Sequence, residues 1–468
     1  MAPDELFEMG ATELGRRIHA GELTSVEVTE RALHLLDTRG RELNAVAELT
    51  RDLAMSQAKA ADAEIKSGKI RGPLHGVPFG AKDLLATKNI PTRWGSPAHK
   101  DQVFDFDATV ISRLREAGAV LVAKLGMVEL AGGGGYEYAY ASLHGPGKCP
   151  FDVTKWSGGS SSGSGSAVGA GLVPFAIGTE TWGSIMCPSA FCNVTGLRPT
   201  YGRVPRHGAM ALCFSMDKIG PMARSAEDCG HILQAIAGFT PLDPSSENPA
   251  WKYRSGRPGK KLRIGLLPTD YKKNEAPDAE KLFAAAMDVL RKQGHTITEM
   301  KLPDFPYDQA ASAIVGIEGA SAFENLIRSP KIELLADKTQ VAGFLASLSL
   351  PGVDYLRALK VRTLAGQATA EVWKKFDVLA APTLLQGAPD ITKSLNDTFG
   401  KMGGNGGPGN LLGWPSISVP MGMTSTGLPL GLEFTGAPYN EQTILSLAAA
   451  YQSKTEFHRA IPGRNLTS

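Results

Sequence analysis

Short, continuously apolar segments alternate with amphipathic ones along this chain of 468 residues, and this alternation restricts the fold more than any other feature. The segments "GVPFGAKDLL" and "AVLVAKLGM" have the length and composition of buried strands, and the amphipathic "ATVISRLREAGA" before the second has the period of a helix. A strand–helix–strand order is typical of α/β proteins. Because this alternation continues to the end without a long linker, the sequence predicts one large α/β/α domain rather than two independent domains.

Other stretches extend the pattern towards both ends of the chain. Residues 4 to 66 are predicted to be helical, because "TSVEVTERALHLLDTR" opens with a Thr/Ser cap and continues with a broad apolar face. Further buried strands are predicted at "LVPFAIGTET", "WPSISVPMG" and "LPLGLEFTG", and mostly helix at residues 308 to 375. The glycine-rich "GGNGGPG", residues 403 to 409, is predicted to be a loop.

Charge and cysteine content argue against several function classes. The formal net charge is +2 and Lys and Arg form no long run, so we expect neither nucleic acid nor a membrane as a partner. The five cysteines show no CxxC spacing and no nearby histidine pairs, so we expect reduced thiols and no metal site. The N-terminus lacks an apolar signal region, and no stretch reaches 18 consecutive apolar residues. We therefore expect a cytoplasmic protein.

Residues 157 to 166, "SGGSSSGSGS", consist only of serine and glycine. Their composition is that of a flexible linker, yet a buried strand is predicted within eight residues of their end. Such residues also suit a backbone that turns sharply and places hydroxyl and N–H groups in a confined site. Neither GxxxxGK[ST] nor GxGxxG occurs here, which argues against a nucleotide site.

Two further segments carry candidate chemistry. Lys82 is a single lysine in an apolar stretch beside Asp83, where loss of solvent would lower its pKa and make a neutral amine available. Ser184 follows a predicted strand in a glycine-containing turn of "GTETWGSI", where successive backbone N–H groups could converge as an oxyanion hole.

Together, "GVPFGAKD", "GGSSSG" and "GTETWGSI" resemble the lysine, Ser/Gly and nucleophile motifs of the amidase signature family. The resemblance covers most of the chain and is weakest between about 270 and 370. It implies a three-layer fold with a central mixed β-sheet covered by helices, as a single amidase domain over residues 1–468. Its parts would be an N-terminal helical segment (1–68), a core with the catalytic motifs (69–250), a mostly helical substrate-side region (270–400) and a C-terminal part of the core (410–468).

The resemblance also implies roles for individual residues. Ser184 would be the nucleophile, Lys82 the base, and Ser160, held by a cis peptide bond, the bridge between them. Backbone N–H groups of Thr181, Trp182, Gly183 and Ser184 would bind the oxyanion and the substrate. A neutral lysine acting through a second serine can activate a serine hydroxyl without histidine.

Three other residues are candidates for parts of this catalytic machinery. Ser161 and Ser162 stand next to Ser160, and we expect them to support the network through hydrogen bonds. His207 is an alternative base. The competing interpretation is that His207 lies in a loop or lines the pocket without taking part in catalysis.

The chain departs from the family pattern close to the nucleophile. Trp182 stands where a glycine is common, Met186 and Cys187 where an arginine often follows, and Glu180 where aspartate is frequent. In some members that arginine helps to recognise a substrate carboxylate. Its absence argues for a neutral substrate, with aromatic compounds as candidates.

The sequence thus predicts an amidase that uses neither metal nor cofactor and acts, as a monomer or homodimer, on a small neutral amide. Anilides, esters and carbamates (urethanes) remain open as substrates, because the acyl chemistry is the same. One alternative is the glutaminase component of a tRNA-dependent amidotransferase, which needs partner subunits. Another is a catalytically silent binding protein with the same fold.

Overall fold

The computed structural model describes residues 7–247, 251–396 and 406–463, so parts of the predicted segments at 1–6, 248–250, 397–405 and 464–468 lie outside it. Strands from all parts of the chain build one 11-stranded sheet, and β4 and β5 form a separate pair. The strands are β1 (Val46–Leu49), β2 (Pro78–Lys82), β3 (Val120–Leu125), β4 (Lys148–Cys149), β5 (Asp152–Trp156), β6 (Phe175–Glu180), β7 (Thr195–Arg198), β8 (Lys218–Ala223), β9 (Arg263–Leu266), β10 (Thr296–Glu299), β11 (Val378–Pro382), β12 (Ser416–Met423) and β13 (Pro429–Thr435).

Helices pack against this sheet, and their apolar faces join its side chains in a large buried core. The helices are α1 (Ala11–His19), α2 (Ser25–Leu35), α3 (Arg51–Lys66), α4 (Thr109–Glu116), α5 (Ser162–Gly169), α6 (Met186–Phe191), α7 (Ala226–Ile236), α8 (Pro277–Lys292), α9 (Tyr307–Ala322), α10 (Glu324–Ile327), α11 (Lys338–Leu348), α12 (Gly352–Lys375), α13 (Gly406–Leu411) and α14 (Glu441–Gln452). Over the described ranges, no helix is both long and apolar enough to cross a membrane.

The sheet is mixed, in the order β1-β3-β2-β6-β8-β7-β12-β13-β11-β9-β10. β2 pairs in parallel with both β3 and β6, whereas β8 pairs antiparallel with β6 and β7. The predicted α/β class with a central mixed sheet covered by helices is confirmed. The strands predicted at β2, β3, β6, β12 and β13 are present, as is the mostly helical stretch from α9 to α12.

The prediction of helix throughout residues 4 to 66 is wrong at β1, which pairs antiparallel with β3. The capped helix itself is present, since Thr24 Oγ1 accepts a hydrogen bond from the Glu27 N–H at the start of α2. The run "VAEL" in β1 is too short for periodicity to separate a strand from a helix, and pairing with β3 decides it.

The predicted glycine-rich loop at 403 to 409 is only partly within the described residues, and there it is wrong. From Gly406 onwards the chain is helical, as α13, and packs against α9. The missing side chains allow this close contact: a Cβ on Gly407 would lie 1.7 Å from Asp308 Oδ1. Tertiary packing here overrides the low helix propensity of glycine.

Candidate active site

Lys82 ends β2 in the interior of the sheet and is completely buried. Its Nζ donates hydrogen bonds to Ser160 Oγ at 2.7 Å and to Thr179 Oγ1 at 2.9 Å. Burial lowers the pKa of Lys82 to about 7, against the opposing charges of Asp217 and Glu180. A large fraction of this lysine is therefore neutral near pH 7 and able to accept a proton.

Asp83, the sequence neighbour of Lys82, belongs to a different buried pair. Its Oδ1 lies 3.5 Å from Lys124 Nζ, and its Oδ2 accepts the Arg93 N–H at 3.0 Å. Successive side chains of an extended backbone point to opposite sides, so Lys82 and Asp83 do not meet. The neutral state of Lys82 is thus not opposed by a carboxylate directly bound to it.

The Ser/Gly run is a buried structural element and not a linker. The Gly159–Ser160 peptide bond is cis, and α5 begins at Ser162. Every residue of the run is buried. A Cβ on Gly163 would lie 2.4 Å from Ala45 O and 2.6 Å from Gly126 N, so the bare backbone of α5 is what allows its close packing.

The three adjacent serines of this run have different partners. Ser160 is the one whose hydroxyl contacts Lys82, and its carbonyl oxygen accepts the Val128 N–H at 3.1 Å. The Ser161 hydroxyl donates to Thr179 O and accepts the Thr179 N–H, at 3.1 and 3.2 Å. The Ser162 hydroxyl donates to Gly126 O at 3.4 Å. Ser161 and Ser162 are therefore bound to backbone, which fits the supporting role expected for them.

Ser184 lies in the turn between β6 and α6, and Gly183 within this turn has a φ of 82°. In the described ranges, the N–H groups of Trp182, Gly183 and Ser184 have no acceptor within the protein, so they are available to a ligand oxygen. The Ser161 N–H donates to Ser184 O at 3.3 Å, which connects this turn to the Ser/Gly run. The structure contains no hydrogen bond between the hydroxyls of Ser160 and Ser184 among these residues; such contacts often tighten only when substrate binds.

Glu180 holds the turn between β6 and α6 in shape through hydrogen bonds with its backbone. Its Oε2 accepts the N–H groups of Ile185 and Met186 at 2.8 and 2.9 Å, and its Oε1 accepts from Arg198 at 2.7 Å and from Asn410 at 3.0 Å. Burial raises the pKa of Glu180, but Arg198 and Lys218 outweigh this and lower it to about 2. Glu180 is therefore ionised and stays a hydrogen-bond acceptor at any physiological pH.

Thr179 and Thr181 point to the face of β6 opposite to Glu180. Thr179 contacts Lys82, and the Thr181 hydroxyl donates to Asp217 Oδ1 at 2.5 Å. Both threonines line a cavity of about 260 Å³ together with His207. The His207 ring lies against Phe106 at a tilt of 35° and has no hydrogen bond to the candidate triad in the described structure, which fits a pocket-lining histidine.

The residues that replace the usual arginine are part of the core. Met186 and Cys187 are both buried, and burial raises the pKa of the Cys187 thiol to about 12. Trp182 is half-buried and lies against the start of α13, where a Cβ on Gly406 would be 3.2 Å from its Nε1. Trp182 is thus the large apolar side chain two residues before Ser184.

The motifs contain Lys82, Ser160 and Ser184 but do not indicate their hydrogen-bond partners. Thr179 is part of the motif "GTETWGSI", and the two-residue period of a strand places it on the same face as Thr181. Arg198, Asn410 and Asp217 come from distant parts of the chain, and no local pattern marked them. No group of three or more His, Cys, Asp and Glu side chains that could hold a metal occurs in the described part of the chain.

A sequence model of the Amidase family matches residues 27–445. The chain belongs to this family, the amidase signature enzymes. This amidase is accordingly a hydrolase of C–N bonds in linear amides.

Several relatives are similar to this amidase over nearly their whole length. It is 34% identical to the A subunit of the glutamyl-tRNA(Gln) amidotransferase of Geobacter sp. strain M21, over 97% of this chain and 99% of the relative. It is 37% identical to the same protein of Geobacter sulfurreducens, with the same coverage. Among solved structures, the peptide amidase of Stenotrophomonas maltophilia is 32% identical with a TM-score of 0.83, over 96% of this chain and 97% of that one.

Proposed function

We propose that this amidase hydrolyses small neutral amides at Ser184, with Ser160 and Lys82 moving the proton. Neutral Lys82 takes a proton from Ser160, which takes one from Ser184 as its Oγ attacks the carbonyl carbon. N–H groups of residues 181 to 184 hold the resulting oxyanion. The observation that carries the proposal is the 2.7 Å contact between Lys82 Nζ and Ser160 Oγ in a site where burial lowers the lysine pKa to about 7.

The second half of the cycle returns the proton. Protonated Lys82 gives it through Ser160 to the leaving nitrogen, the C–N bond breaks, and the amine departs. Water then attacks the acyl group on Ser184, and the same pair removes a proton from the water. Neither a metal nor a cofactor is needed for these steps.

Two features support a neutral substrate. Met186 is buried and uncharged where a carboxylate-binding arginine would stand, and the half-buried indole of Trp182 flanks the nucleophile. The proposal therefore covers neutral carboxylic amides, anilides, esters and carbamates, hydrolysed by a cytoplasmic monomer or homodimer.

A second candidate is glutamine hydrolysis as the glutaminase component of a tRNA-dependent amidotransferase. Overall sequence similarity favours it, because the amidotransferase relatives are 34% and 37% identical to this chain over 97% of its length. This candidate requires partner subunits and a tRNA, contrary to the expectation of no nucleic-acid partner. Trp182 and Met186 favour the first candidate. The silent-protein alternative is the weakest, because all three candidate catalytic side chains are present.

A substrate panel separates the two candidates. The purified single chain is assayed with neutral anilides, alkyl amides, esters and aryl carbamates, and with glutamine and malonamate. Higher kcat/KM for the neutral compounds supports the first candidate. A preference for glutamine, or activity that appears only with amidotransferase partner subunits, supports the second and overturns the first.

A further inference from the structure

Among the residues that the structure describes, Asp308 has a carboxylate without a protein partner, and this carboxylate lies near the turn that carries Ser184. It is the second residue of α9 and is exposed on one side. Across residues 7–247, 251–396 and 406–463 it has no salt bridge and no hydrogen bond through its carboxylate. Burial of its other side raises the pKa of Asp308.

Gly407 lies next to both the Asp308 carboxylate and the indole of Trp182. A Cβ built on Gly407 would lie 1.7 Å from Asp308 Oδ1 and 3.5 Å from Trp182 Cζ2, so the carboxylate and the indole meet at this glycine. α13 is held in this place because the Asn410 amide donates to Glu180 Oε1 at 3.0 Å. Asp308 thus lies close to the indole of Trp182, the residue two positions before Ser184 in the chain.

Two charged groups near the turn of Ser184 contribute little net charge. Glu180 is paired with Arg198, and about half of Lys82 is neutral near pH 7, because its pKa is about 7. Within the described ranges, Asp308 therefore adds a negative charge without an ion-pair partner on the side of α9 and α13. A partly desolvated charge acts on a ligand charge over several ångströms, because the screening there is weaker than in bulk water.

We propose that Asp308 is a specificity-determining residue, which favours substrates with a neutral or cationic group near Trp182 over substrates with a carboxylate there. The inference rests on the proposed hydrolysis at Ser184 and adds a charge class to its substrates. An acid in the first turn of a helix also stabilises that helix. That structural role would alter thermal stability but not selectivity between substrate charges.

The test compares wild type, Asp308→Asn and Asp308→Ser on matched anilides that differ only in a para substituent: isopropyl, trimethylammonium or carboxylate. One series carries the substituent on the acyl ring, and a second carries it on the aniline ring. The control is Asp304→Asn, which removes an exposed charge four residues earlier. Thermal unfolding midpoints show whether each variant is folded, and the smaller serine gives a second uncharged variant.

In at least one series, we expect the ratio of kcat/KM for the cationic anilide to kcat/KM for the anionic anilide to fall about fivefold in both Asp308 variants. The ratio should stay unchanged in the control. The isopropyl compound is hydrolysed at nearly the wild-type rate. An unchanged ratio in both series, with the neutral anilides still hydrolysed, overturns the role of Asp308 alone.

A wild type that hydrolyses neither the anilides nor the neutral amides, esters and carbamates of the substrate panel contradicts the proposed function instead. The role of Asp308 is then decided by the rates at which matched cationic and anionic phosphonates label Ser184. A cation-to-anion ratio of labelling that falls in the Asp308 variants supports it, and an unchanged ratio or no labelling overturns it.

Discussion

Lys82 and Ser160 are 78 positions apart in the sequence and share a 2.7 Å hydrogen bond inside the protein. The lysine reaches it from the end of β2, and the serine from the cis bond before α5. Neither residue is accessible to bulk water, so under the proposed mechanism the proton from Ser184 has a defined acceptor.

The pH dependence of kcat/KM follows from the pKa of Lys82. The amine accepts a proton only in its neutral form, so activity rises with pH through about 7 and then levels off. Below this value, kcat/KM falls about tenfold per pH unit. A pH–rate profile on a neutral anilide checks this. Lys82→Arg should lose activity at every pH, because a guanidinium stays protonated.

Ser160 and Ser161 are neighbours with different hydrogen-bond partners. Ser160→Ala removes the hydroxyl that contacts Lys82, and we expect kcat to fall by about 10³-fold or more. Ser161→Ala removes only hydrogen bonds to the Thr179 backbone, and about a tenfold loss is expected. Steady-state kinetics of both variants decide this assignment, and an equal loss in both would contradict it.

Glu180→Gln should destabilise the protein, because it removes the nearer counter-ion of the buried Arg198 guanidinium and leaves, among the described residues, only Glu433, whose Oε1 is 3.9 Å away. The expected loss is about 3–5 kcal/mol in the free energy of unfolding. The matched control Glu13→Gln breaks exposed pairs with Arg16 and Arg17 and should change it by less than about 1 kcal/mol. Urea unfolding measures both.

The same measurement has a predicted pH dependence. The pKa of Glu180 is lowered from 4.5 to about 2 in the folded protein, so its contribution to stability is complete above pH 4.5 and is lost as the pH falls towards 2. The difference between wild type and Glu180→Gln should shrink over that range. A difference that stays constant from pH 6 to pH 3 would argue against an ionised Glu180.

Gly163→Ala tests the packing of the Ser/Gly run. The added methyl group would meet the backbone of Ala45 and Gly126, which cannot move aside as a flexible side chain can. We expect a loss of about 1–3 kcal/mol in stability and a lower kcat, since α5 follows Ser160 directly. Gly259→Ala, where a Cβ meets nothing within 4 Å, is the control and should leave both unchanged.

The sequence predicts the parts of this site that are local. The alternation of apolar segments indicates the α/β class, and the motifs bring in Lys82, Ser160 and Ser184. Long-range pairing is different: Asn410 reaches Glu180 across 230 positions, and β1 becomes a strand only because β3 is beside it. Composition also misled at α13, where a glycine-rich segment forms a helix whose close contact with α9 leaves no room for a side chain at Gly407.

The most direct test of the account is the identity of the residue that a phosphonate ester labels. Mass spectrometry of the inactivated protein should show one adduct, on the peptide that contains Ser184, and Ser184→Ala should show neither the adduct nor amide hydrolysis. Lys82→Met should form the same adduct more slowly. Labelling of another residue together with full activity of Ser184→Ala would contradict the account.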